Sequence, residues 1–128
     1  MKSFLDRENK IVVVGVSMNP EKWGYRVYRA LRDEGYKVFP VNPKYGEIEG
    51  DKCYPDLKSL PEKPDVVITV VPPEITENIV EECKKLGIKK VWMQPGSESD
   101  NAIKFCRENG IETVYNACFV VDGLKKRW

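Results

Sequence analysis

Five short runs of apolar, mostly β-branched residues alternate along the chain with stretches of helical period. Of the runs Lys10 to Val16, Lys37 to Val41, Val66 to Val71, Lys90 to Met93 and Glu112 to Tyr115, most are apolar on both faces. That is the pattern of parallel strands covered on either side by helices. Helices are predicted near Gly24 to Glu34, Glu74 to Leu86 and Glu98 to Asn109. In the second, Ile75, Ile79, Val80, Cys83 and Leu86 recur at helical spacing and make one apolar face. In the third, Cys106 shares a face with Ala102, so Cys83 and Cys106 are both expected in the core. The three helices leave through similar turns, Glu34-Gly35-Tyr36, Leu86-Gly87-Ile88 and Asn109-Gly110-Ile111, in which a left-handed glycine stops the helix and an apolar residue packs back on it. Ser97, with Asp100 three places on, reads as a capping box opening the third helix.

Strand and helix in alternation imply an α/β domain built as a Rossmann-like doubly wound parallel sheet in three layers, because right-handed crossovers leave few other topologies. The segment Tyr45 to Pro64 is expected to hold a turn, a short edge strand near Cys53 and a helical turn. Counting that strand, the order 3-2-1-4-5-6 fits best, with any ligand outside the carboxyl ends of the strands where the order reverses.

Composition narrows the chemistry. A chain of 128 residues is expected to form one domain spanning residues 1–128. Lys plus Arg number 21 against 20 for Asp plus Glu, so no strong net field draws the whole molecule to nucleic acid or an anionic membrane. The apolar runs are far shorter than the roughly 20 residues of a membrane-spanning helix, and Met1 to Lys10 lacks a signal-peptide core. A cytoplasmic protein is expected. Histidine is absent, which removes the commonest general base and metal ligand. Gln94 is the one glutamine, and with many Lys and Glu this leans towards a thermophilic source. Cys53, Cys83, Cys106 and Cys118 lack the paired spacing of a zinc or dithiol site, and reduced thiols are expected.

The loops after the strands carry the candidate chemistry. Gly15-Val16-Ser17 follows the first strand, and Lys22-Trp23-Gly24-Tyr25-Arg26 opens the first helix. Backbone amides there suit a pyrophosphate, with Ser17, Lys22 and Arg26 as further donors. The loop is not the GxGxxG fingerprint, since Ser17 stands at the second glycine's place and the next glycine is delayed to Gly24. Gly15 is expected to be bare so that the pyrophosphate can approach, and a valine there to block binding while leaving the fold intact. A tight turn with solvated charges would look similar. After the second strand stand Asn42-Pro43-Lys44, where an NAD-binding domain usually places an acid for the ribose hydroxyls. Lys44 suits a phosphorylated ribose instead, as in CoA or NADP. Val70-Val71-Pro72-Pro73 leaves the strand, turns rigidly into a helix and offers an apolar wall that could flank a base or the pantetheine arm, although proline in a first turn needs no ligand to explain it.

Together, GVSMNPEKWGYRV at Gly15 to Val27, VNPKYG at Val41 to Gly46, CYPDLKSLPEKPDVV at Cys53 to Val67, VVPP at Val70 to Pro73 and QPGSES at Gln94 to Ser99 resemble the stand-alone CoA-binding proteins. These are related to the N-terminal CoA-binding domain of the succinyl-CoA synthetase α subunit. The resemblance runs from Lys10 to about Val121 and rests on the order and spacing of the motifs, none of which is highly specific by itself. It implies that coenzyme A is the bound cofactor, with Gly15, Val16, Ser17, Lys22, Gly24, Tyr25 and Arg26 around the phosphates. Asn42, Pro43 and Lys44 would hold the adenosine end, while Val71, Pro72, Pro73 and Gln94, Pro95 and Gly96 would line the pantetheine path. Cys118, also near a cysteine of the family pattern, would meet the thiol and could form a mixed disulfide with it.

Two departures from the synthetase matter. The chain is expected to end where the synthetase's first domain ends, and without histidine it has no residue for a phosphohistidine intermediate. The expected function is therefore that of a CoA or acyl-CoA carrier, sensor or regulatory subunit without ligase chemistry and without a catalytic residue or metal. An NADP-dependent oxidoreductase, a small acyl-CoA-handling activity, or a subunit completed by a separately encoded partner remain the alternatives.

Overall fold

The computed structural model describes residues 2–127. The β-branched runs form five short parallel strands, β1 Lys10–Val14, β2 Lys37–Val41, β5 Val66–Thr69, β6 Lys90–Met93 and β7 Glu112–Val114, between helices α1 Trp23–Asp33, α2 Pro73–Leu86 and α3 Asp100–Glu108. Two further strands, β3 Glu47–Ile48 and β4 Asp51–Lys52, make a separate antiparallel hairpin. The main sheet has the order β2-β1-β5-β6-β7, so the direction of winding reverses at β1 and β5. The expected sixth strand is absent from the sheet among the described residues. Its place beside β2 is reduced to one parallel bridge between Val41 and Tyr54, because the next residue, Pro55, has no N–H to extend a ladder.

Alternation along the strands divides the core. Ile11, Val13, Val66, Ile68 and Trp92 face one way, towards Val27, Tyr28 and Leu31 of α1. Val12, Val14, Val67, Val91 and Met93 face the other, towards Ile79, Val80 and Cys83 of α2 and Ala102 and Cys106 of α3. Both cysteines are fully buried, as their helical spacing predicts. The first face is wider than one helix can cover. Phe4 from the first turn and Phe119 from a π-helical turn, Phe119–Gly123, complete it, each edge-on to the Trp92 ring at 5.8 and 4.8 Å. Trp92 Nε1 donates to the Ala117 carbonyl at 2.8 Å, which fixes the chain just before Cys118.

Several boundaries differ from the sequence expectation. β1 and β5 stop two residues early, releasing Gly15-Val16 and Val70-Val71 into loops. Ile75 and Leu86 are 40% and 37% exposed, and Thr76 takes the buried place on α2 instead. The cap of α3 is Ser99, whose hydroxyl accepts from Ala102 N. Ser97 is not a cap, because its hydroxyl is buried against Thr69 and the Gln94 carbonyl. All three glycine exits form, with Gly35, Gly87 and Gly110 at positive φ and the amides of Tyr36, Ile88 and Ile111 reaching back to Leu31, Cys83 and Cys106.

Candidate functional site

At the reversal point the loops after β1 and β5 run closer together than side chains would allow. A Cβ on Gly15 would lie 2.2 Å from the Val70 carbonyl oxygen, and φ there is +101°. A Cβ on Gly24 would lie 2.0 Å from the Gly15 carbonyl oxygen, so these two glycines seat the start of α1 directly on the β1 loop. The bare Cα of Gly15 is thus required by packing against β5, which corrects the expectation that a valine there would leave the fold intact. The loop between them folds on its own polar atoms. Asn19 N donates to Ser17 Oγ at 3.0 Å and Glu21 N to Asn19 Oδ1 at 2.9 Å. Lys22, the N-cap of α1, is extended and makes no side-chain cap bond. The amide end of an 11-residue helix therefore faces the sheet edge without a carboxylate or hydroxyl of its own cap across it, a setting that favours an anion.

A groove of two halves follows the edge. The polar half, about 490 Å³, is lined by Gly15, Val16, Ser17, Glu21, Lys22 and Gly24 on one side and by Asn42, Lys44 and Tyr45 on the other. Asn42 braces those sides, donating from Nδ2 to the Val16 carbonyl at 2.7 Å while its Oδ1 accepts from Lys44 N at 2.9 Å. The apolar half, about 430 Å³, is lined by Val71, Pro72, Gln94, Pro95, Gly96, Ser97 and Cys118. Trp23 and Val70 line both halves and join them. Gln94, 4% exposed, organises the apolar end. Its Nε2 donates to Cys118 Sγ at 3.4 Å and its Oε1 accepts from Phe119 N at 2.7 Å. Cys118 N in turn donates to Asp122 at 2.6 Å.

Of the residues named from sequence, Gly15, Val16, Ser17, Lys22, Gly24, Asn42 and Lys44 are brought together in the polar half, and Val71, Pro72, Gln94, Pro95, Gly96 and Cys118 in the apolar half. Tyr25, Arg26, Pro43 and Pro73 stand outside the lining. Tyr25 turns to the hairpin, where its hydroxyl donates to Glu49 at 2.7 Å, and that carboxylate pushes the phenol's pKa up. Arg26 lies over the Trp23 ring, 4.8 Å from its centroid. Pro73 is the first residue of α2. Val70, expected as part of the apolar wall, lines both halves, while Glu21, Trp23, Tyr45 and Ser97 were not among the expected site residues. Trp23 carried a signal, a large aromatic opening the helix after a phosphate-type loop; the place of Glu21 at the groove follows from the Asn19 turn, which no spacing announces.

The four cysteines are free, three buried and Cys118 half-buried. Burial pushes the Cys83 thiol well up and the Cys106 thiol up to about 11. Among the described residues no group of three or more acids and cysteines is placed to hold a metal ion, and no helix is long and apolar enough to cross a membrane.

A family model described as a CoA binding domain matches residues 9–123. An uncharacterised protein of Bacillus subtilis, YneT, is 30% identical over 121 residues, covering 94% of this chain and 90% of that one. The α subunit of the ADP-forming acetate–CoA ligase II of Pyrococcus furiosus is 39% identical over 92 residues, 71% of this chain but 20% of the subunit. The match to the Methanocaldococcus jannaschii ADP-forming acetate–CoA ligase covers 12% of that enzyme, so the chain spans only a small part of the ligases it resembles. A hypothetical protein of Pyrococcus horikoshii has the same fold, with a TM-score of 0.91, 39% identity, and coverage of 97% of this chain and 87% of that one. A conserved hypothetical protein of Pyrococcus furiosus superposes with a TM-score of 0.85 at 42% identity, covering 88% and 97%.

Proposed function

Since the chain belongs to the CoA-binding domain family, we propose that its two-part groove binds one coenzyme A along its length. The observation that carries this reading is the continuity of a polar half, at the amide end of α1, with an apolar half that ends at a thiol. The pyrophosphate lies over the loop from Gly15 to Gly24, with Ser17 and Lys22 as donors. The phosphorylated ribose lies by Asn42 and Lys44, with Pro43 and Tyr45 beside it. Pantetheine crosses Trp23 and Val70 and runs between Val71-Pro72 and Gln94-Pro95-Gly96 to Cys118. The reach fits: β7 is three strands from β1, about 14 Å at about 4.8 Å per step, and the arm extends roughly 17 Å, comparable to four or five extended residues.

With CoA disulfide as oxidant, the Cys118 thiolate attacks one sulfur, a Cys118–CoA disulfide forms, and the second CoA leaves as thiolate and takes up the proton Cys118 lost. Intact-mass measurement is expected to show one reductant-reversible CoA adduct on the wild type and none on Cys118→Ser. An unmodified wild type contradicts the placement of the thiol.

In this reading the chain is a carrier, sensor or regulatory subunit working in the cytoplasm, and its ligase-subunit relatives support a role beside a separately encoded partner. Calorimetric titration with CoA, dephospho-CoA and NADP tests the assignment. CoA is expected to bind best, and dephospho-CoA about tenfold more weakly for loss of a charge-assisted contact at Lys44. Equal affinity for the first two would remove Lys44 from the site. Preference for NADP would replace this reading with the oxidoreductase one.

A further inference from the structure

The hairpin β3–β4 joins Ile48 to Asp51 through two residues, Glu49 and Gly50, both at positive φ, +51° and +83°. Such turns are normally filled by Asn-Gly or Asp-Gly, because a longer L side chain is disfavoured in the left-handed region. Glu49 stands there against local preference, and its side chain shows what offsets the cost. One carboxylate oxygen accepts from Tyr25 Oη at 2.7 Å, and the other pairs with Arg29 at 3.3 Å. The second acid of the hairpin repeats the arrangement one turn along α1, where Asp51 accepts from Tyr28 and pairs with Arg32 at 3.4 Å. Tyr25, Tyr28, Arg29 and Arg32 follow the i, i+3, i+4, i+7 spacing of a single helix face.

The two elements so clamped carry the two sides of the polar half. Tyr25 is in the first turn of α1, directly after Gly24 and the N-cap Lys22, and the hairpin continues the loop that bears Lys44 and Tyr45. Below the clamp, the hairpin is already rooted in the core by Ile48, 1% exposed, and Cys53, 4% exposed. Fold retention therefore does not depend on Glu49. We propose that Glu49 is a positioning residue for the anion half of the groove: through Tyr25 it sets the separation of the α1 amide end from the Lys44 loop, and so the affinity for the pyrophosphate-bearing part of the ligand. This rests on the CoA reading above.

The test is Glu49→Asn, which suits the turn but is too short to keep both contacts. Its melting temperature is expected to equal or exceed that of the wild type, while its Kd for CoA rises about fivefold, the scale of an exposed charge-assisted bond. Glu49→Gln, which keeps an acceptor for Tyr25, is expected to retain most of the affinity. Tyr25→Phe should weaken binding as Glu49→Asn does, and the double variant no further. Unchanged binding in Glu49→Asn, losses that add in the double variant, or a fall in affinity matched by a fall in melting temperature would each overturn the proposal. A wild type that does not bind CoA at all would instead overturn the reading beneath it.

Discussion

In the polar half of the groove backbone is pressed on backbone, the Gly15 loop against Val70 and α1 on Gly15, with the Asn42 side chain bracing the two sides, whereas in the apolar half the ties between the walls described above are made by side chains. There Gln94 spans to Cys118 and Phe119, and Ser97 spans to Thr69. The contrast follows from what each half would hold. A pyrophosphate is recognised by amides, which are available only where no side chain intervenes. A pantetheine arm needs a shaped apolar slot, and a slot keeps its shape when its few polar groups are satisfied internally.

The sharpest way to break this comparison is to add a side chain where backbone meets backbone. Gly15→Val places Cβ against the Val70 carbonyl at a positive φ, and backbone strain plus overpacking is expected to cost about 3 kcal/mol or more. Denaturant unfolding should show that loss, and ligand binding should fall with it. A stable Gly15→Val protein that merely fails to bind would mean that the glycine serves the ligand alone.

Gln94→Leu asks the reciprocal question of the side-chain half. It removes an acceptor from the buried Phe119 amide and a donor from Cys118, so a loss of about 2 kcal/mol is expected in the same unfolding measurement. Adduct formation at Cys118 should slow, and pyrophosphate-dependent affinity should persist. If affinity for 3′-phosphoadenosine diphosphate, which keeps the pyrophosphate but lacks the pantetheine arm, fell as far as affinity for CoA, the halves would not be separable.

The smallest effect concerns the thiols buried on α2 and α3. Cys106 is held neutral by burial, its pKa raised from 9.0 to about 11. The unfolded chain then loses this proton before the folded one does, so this contribution to stability is whole below pH 9 and is lost as pH rises towards about 11. Unfolding as a function of pH should show that decline, reduced in Cys106→Ala. In the native protein near neutral pH a thiol reagent should label Cys118 well before Cys83 or Cys106.

How much of this was legible in the sequence depended on which interaction decides each feature. Strands, helices and glycine exits are local, and β-branched runs, helical periods and Gly35, Gly87 and Gly110 announce them. The buried faces of Cys83 and Cys106 follow from the same period. The α3 cap did not follow, because Ser97 and Ser99 are both plausible by spacing and the choice was made by Thr69, 28 residues from Ser97. The missing sixth strand turned on Pro55, visible but outweighed by the fold pattern. At the site, motif order brought the two groups of groove residues together. Tyr25 went elsewhere because a hairpin acid, Glu49, draws its hydroxyl, and no short-range pattern links those two positions.

The central claim, that one CoA molecule occupies both halves, is tested most directly by following backbone amide resonances of the 15N-labelled chain during titration with CoA. Saturable shifts are expected at Gly15, Ser17, Trp23, Gly24 and Lys44, and, at the same ligand concentrations, at Gln94, Gly96 and Cys118. Shifts confined to one half, or midpoints that differ between the halves, would contradict the account.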